Sequence, residues 1–294
     1  MRVLITGACG QLGKCLQDSF KESGHEVIAA GRSDLDITNS DLVESFVLAH
    51  EPDAIINAAA YTSVDKAEVE PDLAFKVNAE AVANLASAVN KIGAFLIHVS
   101  TDYVFDGAST RPYREIDSVN PMGVYGKSKL AGEKEAEKAK RYVIVRAAWI
   151  FSEYGSNFLK TMVRLGNERD SLAIVKDQIG TPTYAGDLAA ALRAVAENPP
   201  LSGTYHFSGG KHCSWYEFAR KIFETCVDLK ADFQIPVLDP IPTSDFPTPA
   251  KRPAFSVLDG GLLEARVGIR EGSWCGALRA VCSKVLQTDD SAVQ

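Results

Sequence analysis

No run in the 294-residue sequence approaches the roughly 18 consecutive apolar residues that a membrane-spanning helix needs. The chain opens with a basic residue and an apolar stretch, Arg2 to Thr6, as a secretion signal does. Glycines interrupt that stretch at once and no small-residue cleavage site follows, so a buried first strand and a cytoplasmic protein are expected, with no membrane partner. Basic residues are in deficit, 31 Lys and Arg against 38 Asp and Glu, for a formal net charge of -7. That balance argues against a broad nucleic-acid surface, but a local basic cluster can still hold an anionic small ligand. The cysteines Cys9, Cys15, Cys213, Cys226, Cys275 and Cys282 contain no CxxC pair. Neither a structural zinc site nor a disulfide framework is therefore expected, and they read as buried free thiols. His206 and His212 show no metal-ligand pattern, and His98, inside an apolar stretch, reads as a satisfied core histidine.

What is present is an alternation of strands and helices. Arg2 to Thr6, Glu26 to Ala30, Ala54 to Asn57, Ala94 to Ser100 and Tyr142 to Arg146 are near-continuous apolar runs, as strands buried on both faces should be. Helical patterns separate them, ending at Phe20 and spanning Asp41 to Ala49, Asp72 to Asn90 and Ser128 to Lys140, with Ser40 or Asn39 capping the second. The order predicts an α/β fold, a Rossmann-type doubly wound parallel sheet over residues 1–150, with a smaller C-terminal substrate lobe over 151–282. Some segments of that lobe are free to return to the first domain, and 283–294 reads as a flexible tail. Within the lobe, Leu172 to Val175 and Gly203 to Phe207 look like strands. Tyr184 to Ala196 and Ser214 to Phe223 look helical, and the proline-rich Pro236 to Pro253 looks like a loop. Ligands of doubly wound sheets bind outside the carboxyl ends of the strands, and the unusual segments lie there: Gly7 to Gly13, Ala58 to Thr62, and Ser100 to Asp102.

The first of these segments is a glycine loop joining a strand to a helix. Gly7 permits a tight turn, Gly10 lets backbone approach a pyrophosphate, and Gly13 allows the helix to pack closely. The unpaired N–H groups at the helix start and the helix dipole then face the phosphates. After the second strand, where an NAD-specific site usually has an acid, the chain has Gly31, Arg32 and Ser33. Arg32 suits a 2'-phosphate, which favours NADPH and leaves NADH open, with a solvent-facing arginine as the alternative. Asp36 and Ile37 follow, placed to lie beside an adenine ring.

Tyr125 and Lys129 are four residues apart and so share one face of a helix. Tyrosine alone, with a pKa of about 10, is a poor acid near neutral pH. A neighbouring ammonium that stabilises the phenolate makes the pair a general acid beside a bound hydride donor. Lys129 is also placed to hold a nicotinamide ribose. Thr101, at the end of the fourth strand, is the candidate hydrogen-bond donor to a ketone oxygen, with Ser100 as its substitute.

These segments resemble the extended short-chain dehydrogenase/reductase family, and within it the reductases that make dTDP-L-rhamnose. The matching stretches are Gly10 to Gly13, Leu35 to Thr38, Asn57 to Thr62, Val64 to Glu68, Ser100 to Gly107, Pro121 to Glu133, Asp177 to Thr183 and Lys251 to Pro253. The resemblance implies a catalytic trio of Thr101, Tyr125 and Lys129. It implies cofactor contacts at Gly10, Gln11 and Leu12, at Asp36 and Ile37, and at Ala58, Ala59 and Ala60, with Tyr61 next to them. It also implies sugar-nucleotide contacts at Thr101, Asp102 and Trp149, hydride delivery to C4 of a keto sugar, and a proton from Tyr125.

Several residues keep two readings. Trp149 either stacks on substrate or packs at the lobe junction. Asp102 either contacts the sugar or caps its loop. Asn157 and Gln178 either face the nucleotide-sugar or shape turns. Arg252 either pairs with a diphosphate or forms a surface ion pair. Related epimerases and dehydratases use the same Tyr and Lys with tightly held NAD. A non-catalytic regulatory subunit, like that of methionine adenosyltransferase, and an NADP-sensing regulator that binds cofactor without consuming it remain alternatives. Symmetric dimers are the commonest assembly, so a homodimer is the expected partner state. Some family interfaces are bridged by magnesium. No acidic cluster here identifies such a site, so Mg2+ at a dimer interface stays open and no metal ligand is assigned.

Overall fold

The computed structural model describes residues 1–21 and 23–292, with side chains as far as Gln287. Five parallel strands, β1 (Arg2–Thr6), β2 (Glu26–Ala30), β3 (Ala54–Asn57), β4 (Phe95–Thr101) and β5 (Tyr142–Ala147), form most of one sheet. A sixth, Gly203–His206, lies parallel to β5, giving the order Gly203–His206, β5, β4, β3, β1, β2. The alternation of side chains along β1 explains why the sheet is covered twice. Val3 and Ile5 pack against Leu12, Leu16 and Phe20 of the helix Gln11–Phe20 and against Leu188 and Leu192 of the helix Ala185–Glu197. Leu4 turns the other way, onto Val43 and Val47 of the helix Ser40–His50 and Leu85 and Val89 of the helix Ala81–Ile92.

β2 lies on one side of β1 and β3 on the other, so the strand order reverses there. The chain consequently leaves β1 and β3 for helices on opposite faces of the sheet, the arrangement that places a ligand crevice at its carboxyl edge. The expected helix over 72–90 is Pro71–Phe75 and Ala81–Ile92 joined by a π turn, Lys76–Glu80. That turn buries Asn78, whose amide bonds Tyr61 backbone and the Ser128 hydroxyl (2.9 Å), tying the helix to the element that carries Tyr125. That element, Val124–Ala136, starts four residues before the expected position and includes Tyr125 in its first turn.

A second core is built from Leu159, Met162, Ile222, Phe223, Leu278 and Val281, contributed by the helices Phe158–Glu168, Trp215–Leu229 and Trp274–Ala292. Ser214 caps the middle one through a capping box with Glu217. The strand at 203–206 joins the main sheet, one of the returns to the first domain that the sequence left open. Two expectations are corrected here. The proline-rich segment is not all loop, because Val237–Ile241 pairs in parallel with Ser171–Val175. The segment from 283 is helical to Ala292, with Val285 and Leu286 buried, because apolar residues recur on the helix face turned to this core. Residues 293 and 294 lie outside the described residues. Among the described residues no helix is long and apolar enough to cross a membrane.

Candidate active site

The floor of the crevice is the glycine loop. Gly7 has φ +68°, and a Cβ there would sit 2.6 Å from the backbone nitrogen of Ala59, so the loops after β1 and β3 are in backbone contact. A Cβ on Gly13 would fall 2.7 Å from Ala8 Cα and closer still to the Gly7 carbonyl oxygen. Gly10 precedes the helix Gln11–Phe20 and offers no side chain to cap it, leaving the first-turn N–H groups for an anion. Gln11 reaches across to the carbonyl of Ile150 (3.3 Å), bridging the loop to the second half of the chain.

One cleft of about 540 Å³ brings together Gly10, Gln11, Leu12, Ala58, Ala60, Thr101, Asp102, Tyr125, Lys129 and Trp149. The three residues proposed for chemistry come from two elements. Thr101 ends β4, while Tyr125 and Lys129 stand on the helix Val124–Ala136, which packs tightly because Gly126 lies against the Tyr103 carbonyl. The Thr101 hydroxyl donates to Asp102 Oδ1 (3.0 Å) and is also hydrogen-bonded to the Tyr125 phenol. Burial pushes the Tyr125 hydroxyl up to about 12, with Thr101 opposing and Asp102 reinforcing the rise. Lys129 is 2% exposed and donates to the Val99 carbonyl (2.7 Å) rather than to the phenol. Its ammonium is pulled down to about 8 by burial, and Glu133 resists the fall. The Asp102 carboxyl is pushed up to about 6 by burial, against its hydrogen bonds.

The remaining residues fall elsewhere. Arg32 is exposed on the loop after β2, and Asp36 and Ile37 follow it. Hydrogen bonds from the Thr38 N–H and hydroxyl hold the Asp36 carboxyl below its usual range. Ala59 sits behind Gly7. Tyr61 directs its hydroxyl to Glu70 (2.5 Å), outside the cleft lining. Asn157 caps the helix Phe158–Glu168 by accepting from the Lys160 N–H, and its amide donates to the Ser152 carbonyl, so it serves the turn. Gln178 and Arg252 line a neighbouring cleft of about 570 Å³ with Phe158, Met162 and Leu165. There Arg252 forms a two-point ion pair with Asp65 (3.2 and 2.7 Å), and Gln178 donates to the Thr243 hydroxyl (3.1 Å). His98 is fully buried and accepts from the Asn57 amide at Nδ1, but its Nε2 has no hydrogen-bond partner among the described residues, so the expected satisfied core histidine is only half satisfied. Among the described residues no group of three or more His, Cys, Asp or Glu is placed to hold a metal ion.

Some site residues were not singled out from sequence. Trp215 stacks on Trp149 with ring centroids 3.4 Å apart and planes 7° apart, and it borders both clefts. Nothing in its own segment signals that role, since the contact joins residues far apart in the chain. Ser100 is not a free substitute for Thr101, because its hydroxyl donates to Glu133 (2.5 Å), which is ion-paired with Arg146 (2.7 Å). A signal for this pair does exist: Glu133 is one turn beyond Lys129, and an arginine inside a two-face-buried strand needs a partner.

Comparison with known proteins agrees with this geometry. The chain matches the family described as "RmlD substrate binding domain" over residues 1–287. It is 46% identical over 287 residues to the dTDP-4-dehydrorhamnose reductase of Aggregatibacter actinomycetemcomitans, covering 95% of this chain and 98% of that one. A dTDP-4-dehydrorhamnose reductase crystal structure from Clostridium acetobutylicum superposes with a TM-score of 0.90 at 42% identity, covering 98% of this chain and 100% of the other. The Bacillus anthracis reductase, solved in complex with NADP, gives a TM-score of 0.89 at 41% identity, covering 95% and 98%.

Proposed function

Because the chain belongs to the RmlD family of dTDP-4-dehydrorhamnose reductases, we propose that it reduces the C4 ketone of dTDP-4-dehydro-L-rhamnose to give dTDP-L-rhamnose, using NAD(P)H. The observation that carries this reading is that Thr101, Tyr125 and Lys129 share one cleft with Gly10, Gln11 and Leu12 of the glycine loop.

The residues present fit a dinucleotide. At Gly7 and Gly13 any Cβ would collide with backbone, and Gly10 leaves the helix start uncapped. The N–H groups of Gln11 and Leu12 would hold the diphosphate, Asp36 and Ile37 would flank the adenosine, and Ala58 to Ala60 would line its path. Arg32 would pair with a 2'-phosphate, which makes NADPH the preferred cofactor in this proposal. That choice is supported by the NADP bound to the Bacillus anthracis relative. When bound, the reduced cofactor supplies the hydride that C4 accepts.

The protein's part is to place the ketone and give its oxygen a proton. Thr101 orients the carbonyl by turning its hydroxyl hydrogen from Asp102 Oδ1, 3.0 Å away, to the ketone oxygen. Tyr125, held protonated in its buried position, donates its proton to O4 as charge develops there. The buried Lys129 ammonium supplies the positive charge that offsets the resulting phenolate and binds the nicotinamide ribose. Asp102 and Trp149 contact the sugar.

The test is direct. Loss of NADPH absorbance on addition of dTDP-4-dehydro-L-rhamnose, with dTDP-L-rhamnose as product, is expected. No oxidation of NADPH or NADH would end the reductase reading and favour a partner-binding or sensing role. Tyr125→Phe should bind NADPH normally and lose turnover by about 100-fold or more.

A further inference from the structure

Beneath the cleft runs a line of four polar side chains that the chemistry above does not use: Ser100 on β4, Glu133 on the helix Val124–Ala136, Arg146 on β5 and His206 on the adjoining strand. None is more than 4% exposed. Glu133 Oε1 accepts from the Ser100 hydroxyl (2.5 Å) and from Arg146 Nε (2.8 Å), and Oε2 accepts from Arg146 Nη2 (2.7 Å). Arg146 Nη1 lies 3.4 Å from His206 Nε2, and the guanidinium rests over the Phe105 ring. Burial and Arg146 push the His206 imidazole down to about 3, so it is neutral, donating from Nδ1 to the Tyr113 carbonyl (3.0 Å) and accepting from Arg146 at Nε2.

A buried ion pair of this kind is weak evidence for stability, since two apolar residues of similar volume often serve as well. Its position is what needs explaining. Glu133 is one helical turn beyond Lys129, and Ser100 is the residue before Thr101. The single carboxylate therefore joins the helix bearing Tyr125 and Lys129 to the strand ending in Thr101 and to β5.

We propose that Glu133 is a positioning residue for the reduction: it locks the Tyr125–Lys129 helix against the strand that presents Thr101 and places its carboxylate one helical turn from the buried Lys129. This rests on the reductase reading above. Of the ionisable groups near Lys129, Glu133 is on its own helix and His98 is on β4, and Tyr125, Asp102 and Tyr103 line the same cleft; Arg146 on β5 is held by Glu133. Burial draws the Lys129 ammonium down and Glu133 opposes it. His98 is held neutral by burial and by Lys129 itself, so it adds no positive charge against the ammonium. Arg146 is held by Glu133 through Nε and Nη2, so removing the carboxylate charge leaves that guanidinium buried without its counter-ion.

The experiment compares wild type with Glu133→Gln, which keeps shape and removes charge. In Glu133→Gln the alkaline limb of the kcat profile should move down by about one pH unit or more. At neutral pH kcat should fall about tenfold or more while KM changes less than about threefold. A readout independent of turnover is the 13Cε resonance of Lys129 in 13C-lysine-labelled protein, assigned by its loss in Lys129→Met, which should titrate at correspondingly lower pH. The double variant Glu133→Gln with Arg146→Met leaves no unpaired cation and should recover part of the shift; it carries the titration if the single variant does not fold. A lysine titration and alkaline limb unchanged from wild type in the folded variant overturn the proposal. Absence of NADPH oxidation by wild type would instead overturn the reductase reading, and the lysine titration would still decide the role of Glu133.

Discussion

Thr101 stands between Asp102 and Tyr125, donating to the carboxylate at 3.0 Å and hydrogen-bonded to the phenol. The Asp102 carboxyl is thus buried with few compensating donors, and one of its oxygens, Oδ2, has no partner within hydrogen-bond geometry. Its folded-state pKa rises from 3.8 to about 6, so the folded protein holds this proton more tightly than the unfolded chain does. The stabilising contribution is complete below the unfolded value and is lost as pH rises through the folded one. Asp102→Asn should therefore gain stability relative to wild type between pH 4 and pH 8, by at most about 3 kcal/mol. Urea unfolding across that range measures it. A stability difference independent of pH would show that the carboxyl does not titrate as proposed.

The glycine loop predicts a different kind of failure. At Gly13 the atoms a Cβ would meet are all backbone, Gly7 and Ala8, so no side chain can swing aside. Gly13→Ala must push the helix Gln11–Phe20 away from the turn, costing about 1–3 kcal/mol by overpacking. Because that helix start is the proposed phosphate site, NADPH affinity should fall by more than tenfold, read by quenching or calorimetry, with no comparable change at Gly24. There φ is +71° but no atom lies within 4 Å, so an alanine strains only the backbone. NADPH binding unaffected by Gly13→Ala would remove the loop from the cofactor site.

The sheet and its crevice were legible because period and punctuation coincide: strands buried on both faces are near-continuously apolar, and the glycines after β1 mark a turn that brings backbone against backbone. The trio was legible because Tyr125 and Lys129 are near neighbours on one helix. Trp215 was not, because its stack on Trp149 joins distant segments, and the Ser100–Glu133–Arg146 connection left only a partial signal, an arginine in a buried strand that needs a partner. Arg252 shows the converse limit. Its segment suggests anion binding, yet the ion pair with Asp65 is a tertiary fact that its sequence neighbourhood does not contain. The π turn at Lys76–Glu80 was equally hidden, since one extra residue in a helical turn leaves an Ala-rich apolar pattern almost unchanged.

In the proposed site, selection of NADPH is assigned to Arg32. It is exposed on the loop after β2, and its charge acts on Asp36, whose carboxyl is held below its usual range. Arg32→Ala should raise KM for NADPH about tenfold while leaving KM for NADH nearly unchanged, because only the phosphorylated ribose offers the arginine a charge-assisted partner. Equal effects on both cofactors would assign Arg32 to general binding rather than to selection.

Trp149 is held in a conformation that few residues of its size adopt, with φ +46°, and its ring lies directly on Gly180, where a side chain would collide with it. Such backbone strain costs about 1–3 kcal/mol and persists only when the surroundings enforce it. Here the enforcement is the stack with Trp215, whose ring also reaches Phe158 at 4.6 Å. Removing Trp215 should therefore act through Trp149. Trp215→Ala should raise KM for the sugar nucleotide about tenfold, with a smaller effect on kcat, since Trp215 contributes no group to the reacting atoms. Trp215→Phe, which retains an aromatic face, should recover most of the loss. The chain has three tryptophans, and Trp274 is buried in the second core with its indole N–H on the Lys211 carbonyl, so changes in emission on substrate binding should come mainly from the stacked pair. In Trp215→Ala that response should shrink along with affinity. If instead kcat collapses at unchanged KM, the stack governs the alignment of the reacting groups and not the seating of the sugar.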